Sequence, residues 1–203
     1  MPRLSPFILL GLASMASAQD VNPVPHGWAL AGSNPAHYLV AVDHPETVAG
    51  GASATLTSRS GQADGFGTLM QQIKADEYRG KHVRFTARIK TREVDGRATL
   101  WLRVDGPGNL EVLDNMTAPK RYLQGDNDWV ENSLVLDVPD GAVAISYGVA
   151  LHGNGKVWLD EVKLESVDPN ISVTTKLLPI KGTMGPAPAE RLLPTPTNLG
   201  FDL

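Results

Sequence analysis

VRFTARIKTREVDGRATLWLRVD, residues 83–105, decides the fold. Val83, Phe85, Ala87 and Ile89 alternate with Arg84, Thr86, Arg88 and Lys90. After Asp95-Gly96 the alternation resumes, with Ala98, Leu100, Leu102 and Val104 set against Thr99, Trp101, Arg103 and Asp105. A period of two sends successive side chains to opposite faces of a strand. Asp-Gly suits a tight turn, since glycine takes positive φ at no steric cost, so the segment predicts a hairpin. Working outward, Ile145, Tyr147, Val149 and Leu151 lead through Gly153-Asn154-Gly155 into Val157-Trp158-Leu159, which predicts a second hairpin. Leu134, Leu136 and Val138 mark a strand ending at Pro139-Asp140-Gly141, and further strands are predicted over residues 37–43, 52–58 and 66–74. Helical patterning is confined to a single turn near Ala75–Tyr78. Short strands separated by turns every 8–12 residues predict an all-β fold, an antiparallel β-sandwich or a barrel.

The whole chain fits this picture. Its 203 residues are 42% hydrophobic and 20% charged, an ordinary globular composition, and its 20 Gly and 15 Pro suit many turns. The absence of cysteine excludes disulfide scaffolds, thiolate zinc sites and cysteine nucleophiles. A net charge of −4 gives no support to nucleic-acid binding, which draws on a basic surface.

Residues 1–18 read as a secretory signal. Arg3 precedes an apolar run around Phe7–Leu12, and Ala16-Ser17-Ala18 has the form of a signal-peptidase site, which predicts cleavage after Ala18 and export to the periplasm or the exterior. The apolar run is short for a bilayer span, and no other segment approaches that length. Residues 19–168 then form one sandwich domain. Residues 169–203 form a tail rich in proline, with Pro179, Pro186, Pro188, Pro194 and Pro196, whose end, Asn198–Leu203, regains apolar character and is expected to dock back as a short strand.

Catalytic motifs are missing. The sequence holds no G-x-S-x-G, no H-E-x-x-H, no P-loop and no G-x-G-x-x-G after a strand, and its five histidines are dispersed. The chain is therefore read as a non-enzyme.

A binding surface is better supported. If Leu100 and Leu102 face the core, Trp101 and Arg103 share the opposite face. The strand at 144–152 puts Ala144, Ser146, Gly148, Ala150 and His152 on one face, nearly all of them small. Small side chains beside an indole leave room for a flat ligand, and sugar C–H faces stack on aromatic rings while Arg and His bind hydroxyls. Asp114 and Asn115, in a polar loop, are expected at the rim. The candidate ligand contacts are thus Trp101, Arg103, Asp114, Asn115 and His152, while Trp28, Trp129 and Trp158 are read as structural. Counting by two from Trp158 places Asp160 with Val162 and Leu164 on an apolar face, where a charge needs a partner. A structural Ca²⁺ held by Asp160 and Asp43 is one solution, and a hydrogen-bonded strand-end Asp without metal is the other.

Beyond single sites, Gly65-Phe66-Gly67-Thr68-Leu69-Met70-Gln71-Gln72, Tyr78-Arg79-Gly80-Lys81, Leu100–Gly106, Asp114-Asn115-Met116, Val157-Trp158-Leu159-Asp160-Glu161-Val162 and the closing Pro196–Asp202 resemble small exported bacterial jelly-roll proteins. Such proteins are similar to carbohydrate-binding modules of the galactose-binding-like sandwich type, whose terminal strand often carries an Asp on a structural Ca²⁺; here that position is Asp160. The resemblance covers roughly residues 27–166 plus the tail. The N-x-x-F-E string that opens such modules is absent at the start, while Asn198–Asp202 carries a similar string at the end, as in a circular permutation. Relatives carry the label of transcriptional regulator, yet this sequence has no helix-turn-helix pattern and its export signal argues against DNA binding. The resemblance implies an exported module for a glycan or related small polar ligand. The alternative is a structural or protein-interaction module of the cell envelope, and a hydrolase or a regulator ranks lower.

Overall fold

The computed structural model describes residues 24–59, 64–107, 110–117, 120–175 and 188–202. The signal segment and most of the proline-rich stretch from Pro179 to Pro186 lie outside them. Nine strands follow in chain order: β1 Ala29–Gly32, β2 Tyr38–Asp43, β3 Ser53–Ser58, β4 Phe66–Lys74, β5 Lys81–Gly106, β6 Leu110–Asp114, β7 Leu123–Val138, β8 Ala144–His152 and β9 Lys156–Val167. All strand pairings are antiparallel.

The alternation of residues 83–105 is real, but it forms no hairpin. It is one strand of 26 residues that belongs to both layers of the sandwich. From Lys81 to Arg92, β5 pairs with β7 on one side and β9 on the other, and β3 and β2 extend that layer. From Arg97 to Gly106 it pairs with β8 and β6, and β4 and β1 extend the second layer. Asp95-Gly96 marks the passage between layers. Glu93 takes φ 54°, and the register against β7 shifts there, which bends the strand instead of reversing it.

The predicted second hairpin resolves in the same way. β8 and β9 lie in different layers, and Gly153–Gly155 arches between them. The two crossings are fastened together, because Asp95 accepts the Asn154 backbone N–H at 2.7 Å and its side-chain amide at 2.8 Å. Those bonds, the side-chain amide first, hold the Asp95 carboxyl below its usual range. A Cβ on Gly96 would stand 2.1 Å from the His152 carbonyl oxygen, so glycine is required for closeness and not for a turn.

Between the layers lies a single apolar core. β8 and β5 supply Tyr147, Val149, Leu100 and Leu102 from the second layer, facing Phe85, Ile89, Leu136 and Leu159 from the first, all at or below 1% exposure. Each such side chain contributes roughly 1.5–3 kcal/mol on burial. Gln71 is a polar member of this interior. It accepts from Tyr147 Oη at 2.7 Å and from the Thr197 amide at 3.1 Å, and donates to the Thr197 carbonyl.

The tail docks, though among its described residues only Leu193 makes a bridge. β1 covers β4 as far as Met70, and Leu193 takes the edge beyond it, receiving the Lys74 N–H at 2.9 Å and giving its own to Gln72 at 3.0 Å. Further on, Phe201 is fully buried and its ring lies 5.2 Å from Trp28, whose indole donates to the Asn198 carbonyl at 2.9 Å. No helix among the described residues is long and apolar enough to cross a membrane.

Candidate functional site: a groove on the second layer

The outer face of the second layer is built in rows set by register. Phe66, His152 and Arg97 form one row across β4, β8 and β5; Thr68, Ala150 and Thr99 the next. Met70, Gly148 and Trp101 follow, then Gln72, Ser146 and Arg103. The middle column comes from β8 and is the run of small residues noted in the sequence. Its low profile lets the side chains of β4 and β5 lean inward over it.

Trp101 uses that space. Its indole N–H reaches Thr68 Oγ1 at 2.8 Å, two strands away, so the ring must lie across β8 over Gly148 and Ala150. Thr68 in turn donates to the Val149 carbonyl at 2.8 Å, which fixes its lone pair toward the indole. The ring's other face borders a cavity of about 490 Å³, lined also by Phe66, Met70, Gln72, Arg103, Leu113, Asn115, Thr117 and His152.

Four of the five residues singled out from sequence therefore meet: Trp101, Arg103, Asn115 and His152 all line the cavity. Asp114 does not. Register pairs it with the core-facing Leu102, so it points inward, 3% exposed. There it holds Arg121 through both oxygens at 2.6 and 2.7 Å and caps the Met116 N–H at 3.0 Å. Its part is to shape the rim. The clasp keeps Met116 at φ 60° with its side chain buried, and Asn115 and Thr117 on the cavity wall.

The polar groups are oriented. Asn115 Oδ1 receives the Thr117 N–H and hydroxyl, which leaves the Asn115 amide N–H groups for the cavity. His152 stacks on Phe66 at 4.9 Å and 25°. Burial, with the charge of Arg97 beside it, holds its pKa down to about 4, so the ring is neutral near pH 7. Arg97 lies 3.4 Å from Nδ1, and since a guanidinium only donates, Nδ1 accepts and Nε2 carries the proton. Arg103 Nε is bonded to Asp105 Oδ2 at 3.0 Å. Burial, and Glu111 nearby, raise the Asp105 pKa against the pull of Arg103.

Phe66, Thr68, Met70 and Gln72 were not identified from sequence as site residues. Their alternation against Leu69, Gln71 and Ile73 is legible, but only the register with β8 brings them beside Trp101.

Asp43 on β2 and Asp160 on β9, the proposed Ca²⁺ pair, flank β3, and each carboxylate has protein donors of its own. Asp160 also lies off the core. Glu161 at φ 49° forms a bulge that shifts the alternation by one, so Val162 and Leu164 turn inward while Asp160 stays outside, under the 44–52 loop. Its oxygens accept the Val48 and Glu161 N–H groups, both at 2.7 Å. Asp43 accepts the Trp158 indole at 2.9 Å, with Lys156 at 3.6 Å. Among the described residues no group of three His, Cys, Asp or Glu is placed to hold a metal ion.

Comparisons with known proteins agree on the fold. No protein-family model matches the chain. Over 179 residues it is 40% identical to the uncharacterized HTH-type transcriptional regulator YbfP of Bacillus subtilis (strain 168), an alignment covering 87% of this chain and 56% of the relative. The chain thus spans little more than half the length of that curated relative. Among solved structures it is similar to the enzymatically active domain of bacteriophage CBA120 tailspike protein 4, with TM-score 0.54 and 15% identity over 70% of this chain and 20% of that one. It is likewise similar to the CBM22-1 xylan-binding domain of Paenibacillus barcinonensis Xyn10C, with TM-score 0.50 and 18% identity over 70% of this chain and 86% of the domain. A further xylan-binding domain from CBM 22 gives TM-score 0.50 and 15% identity, over 70% and 87%. At such identities the likeness is one of architecture: the chain has the β-sandwich fold of carbohydrate-binding modules.

Proposed function

We propose that this chain is an exported, non-catalytic module that binds carbohydrate in the groove of its second layer. One observation carries the reading: the Trp101 ring laid over Gly148 and Ala150, held by Thr68 and facing a cavity of about 490 Å³. A pinned aromatic plane with polar groups around it suits a sugar ring, and the volume falls within the range of ligand sites, roughly 300–1,000 Å³. The non-catalytic half is supported by the lining. Among the described residues no carboxylate borders the cavity, whereas glycoside hydrolysis generally needs two.

Isothermal titration against glycans selected on a carbohydrate array is the test. Trp101→Ala is expected to weaken binding by about fivefold to tenfold, as the loss of one stacking plane implies. No glycan bound, or equal binding by Trp101→Ala, would sink the reading. Export is tested separately: the protein recovered outside the cytoplasm should begin at Gln19.

The 40% identity to a protein named as a transcriptional regulator favours a second reading for the longer relative. There the shared part would serve as a ligand-sensing portion, with DNA contacts made elsewhere. The described residues of this chain include two short 3₁₀ turns and no α-helix, and the net charge is −4, neither of which suits a recognition helix in a groove of DNA. Retention of duplex DNA by this chain alone would overturn that division.

A further inference from the structure

We propose that the groove selects glycans bearing an acidic group, a sugar carboxylate or sulfate, and that Arg103 is its anchor. The inference rests on the glycan reading and names the ligand class that reading leaves open.

It follows from counting which way the hydrogen bonds can run. The cavity wall offers donors: both Nη groups of Arg103, the Asn115 amide N–H groups and the His152 Nε2–H. Three of its acceptors are committed, Asn115 Oδ1 to Thr117, Thr68 Oγ1 to the Trp101 indole and His152 Nδ1 to Arg97, while the hydroxyl oxygens of Thr99 and Thr117 keep lone pairs. Gln72 Oε1 stays available, because that side chain spends its amide on Ser146 at 2.9 Å. No carboxylate lines the cavity among the described residues. A neutral sugar brings hydroxyl protons that need acceptors, and buried hydroxyls left without one cost about 1–3 kcal/mol each. A ligand rich in acceptor oxygens leaves no such deficit.

The geometry of Arg103 points the same way. Asp105 binds it at Nε, along one edge, and its side chain is only 15% exposed. The Nη pair on the far edge makes no hydrogen bond among the described residues and borders the cavity. That edge is the two-pronged fork that matches a planar carboxylate or two oxygens of a sulfate. Asp105 lies behind the guanidinium and orients it without closing the fork. Arg97 adds a second positive charge at the opposite end, beside His152.

The experiment is an array of polysaccharides, each presented in native form and after chemical reduction of its carboxyls or removal of its sulfates. The native acidic form should bind about tenfold tighter than its neutralised twin, and added salt should narrow the gap. The pair that shows the gap identifies the acid. Arg103→Gln should abolish the preference. Since that change strands Asp105, Asn115→Asp serves as a second variant. It keeps the acceptor for Thr117 but sets a negative charge on the wall, and should narrow the gap as well. Equal binding of native and neutralised forms overturns the inference while leaving the glycan reading intact. Binding to neither overturns both.

Discussion

Thr68 is the residue on which the groove turns. Its hydroxyl sits between a carbonyl that takes its proton and an indole that gives one, so Thr68→Val removes both bonds without changing shape much. The variant should fold, lose about 1 kcal/mol of stability, and bind ligand several-fold more weakly because the Trp101 ring is no longer pinned. Thermal melts with titration would check both. His152 gives a pH signature. Its pKa falls from 6.5 unfolded to about 4 folded, so the unfolded chain takes up the proton first as pH drops. The stabilising contribution is full above pH 6.5 and is lost as pH falls from there toward 4. His152→Asn should flatten the melting-temperature profile across that window relative to the parent. Trp101, Arg103 and His152 could be picked out in the sequence because period-two counting within one strand needs no knowledge of partners, and Asn115 because it stands in a polar loop beside such a strand. Asp114 could not be placed that way, as its face depends on where β6 begins relative to Leu102.

At the scale of elements, the span at Phe66–Lys74 matches the predicted range in full, whereas β1 and β6 were not predicted and β7 only from Leu134. Which strands are neighbours was not legible. A glycine-rich break between alternating runs is required alike by a hairpin and by an arch between layers, since both bring backbones close at positions a Cβ would block. Nothing local separates the two; the burial of both ends in opposite layers does. The arches make their own prediction. Gly96→Ala places a methyl against the His152 carbonyl and should cost about 1–3 kcal/mol, measured by denaturant unfolding, although glycine-to-alanine in an ordinary strand is mildly stabilising. The Glu161 bulge is the other element hidden from periodicity, and it misled the reading of Asp160. With that carboxylate clasping the 44–52 loop, Asp160→Ala should cost about 1–3 kcal/mol, whereas chelators should leave the melting temperature unchanged.

For the molecule as a whole, the tail is part of the core. Phe201 and Trp28 close one end of the sandwich, and the buried Gln71 amide would keep only the Tyr147 hydroxyl if Thr197 were withdrawn. Phe201→Ala should therefore cost about 3–5 kcal/mol, read as a shift in the denaturation midpoint with no change in the cavity's ligand preference. The strand shared by both layers has a mechanical meaning. In a sandwich of two separate sheets, one layer can peel from the other and melt on its own. Here the backbone of β5 runs unbroken from one layer into the other, paired on both sides in each, so pulling either apart strains both. Unfolding should be a single event by every probe, and Trp101, twenty residues along the same strand from Lys81, should lose its fixed surroundings at the same moment as the remote edge at β2. The floor of the groove should then open only when the whole sandwich does, which hydrogen exchange at β5 and β8 would show as protection equal to that of the core.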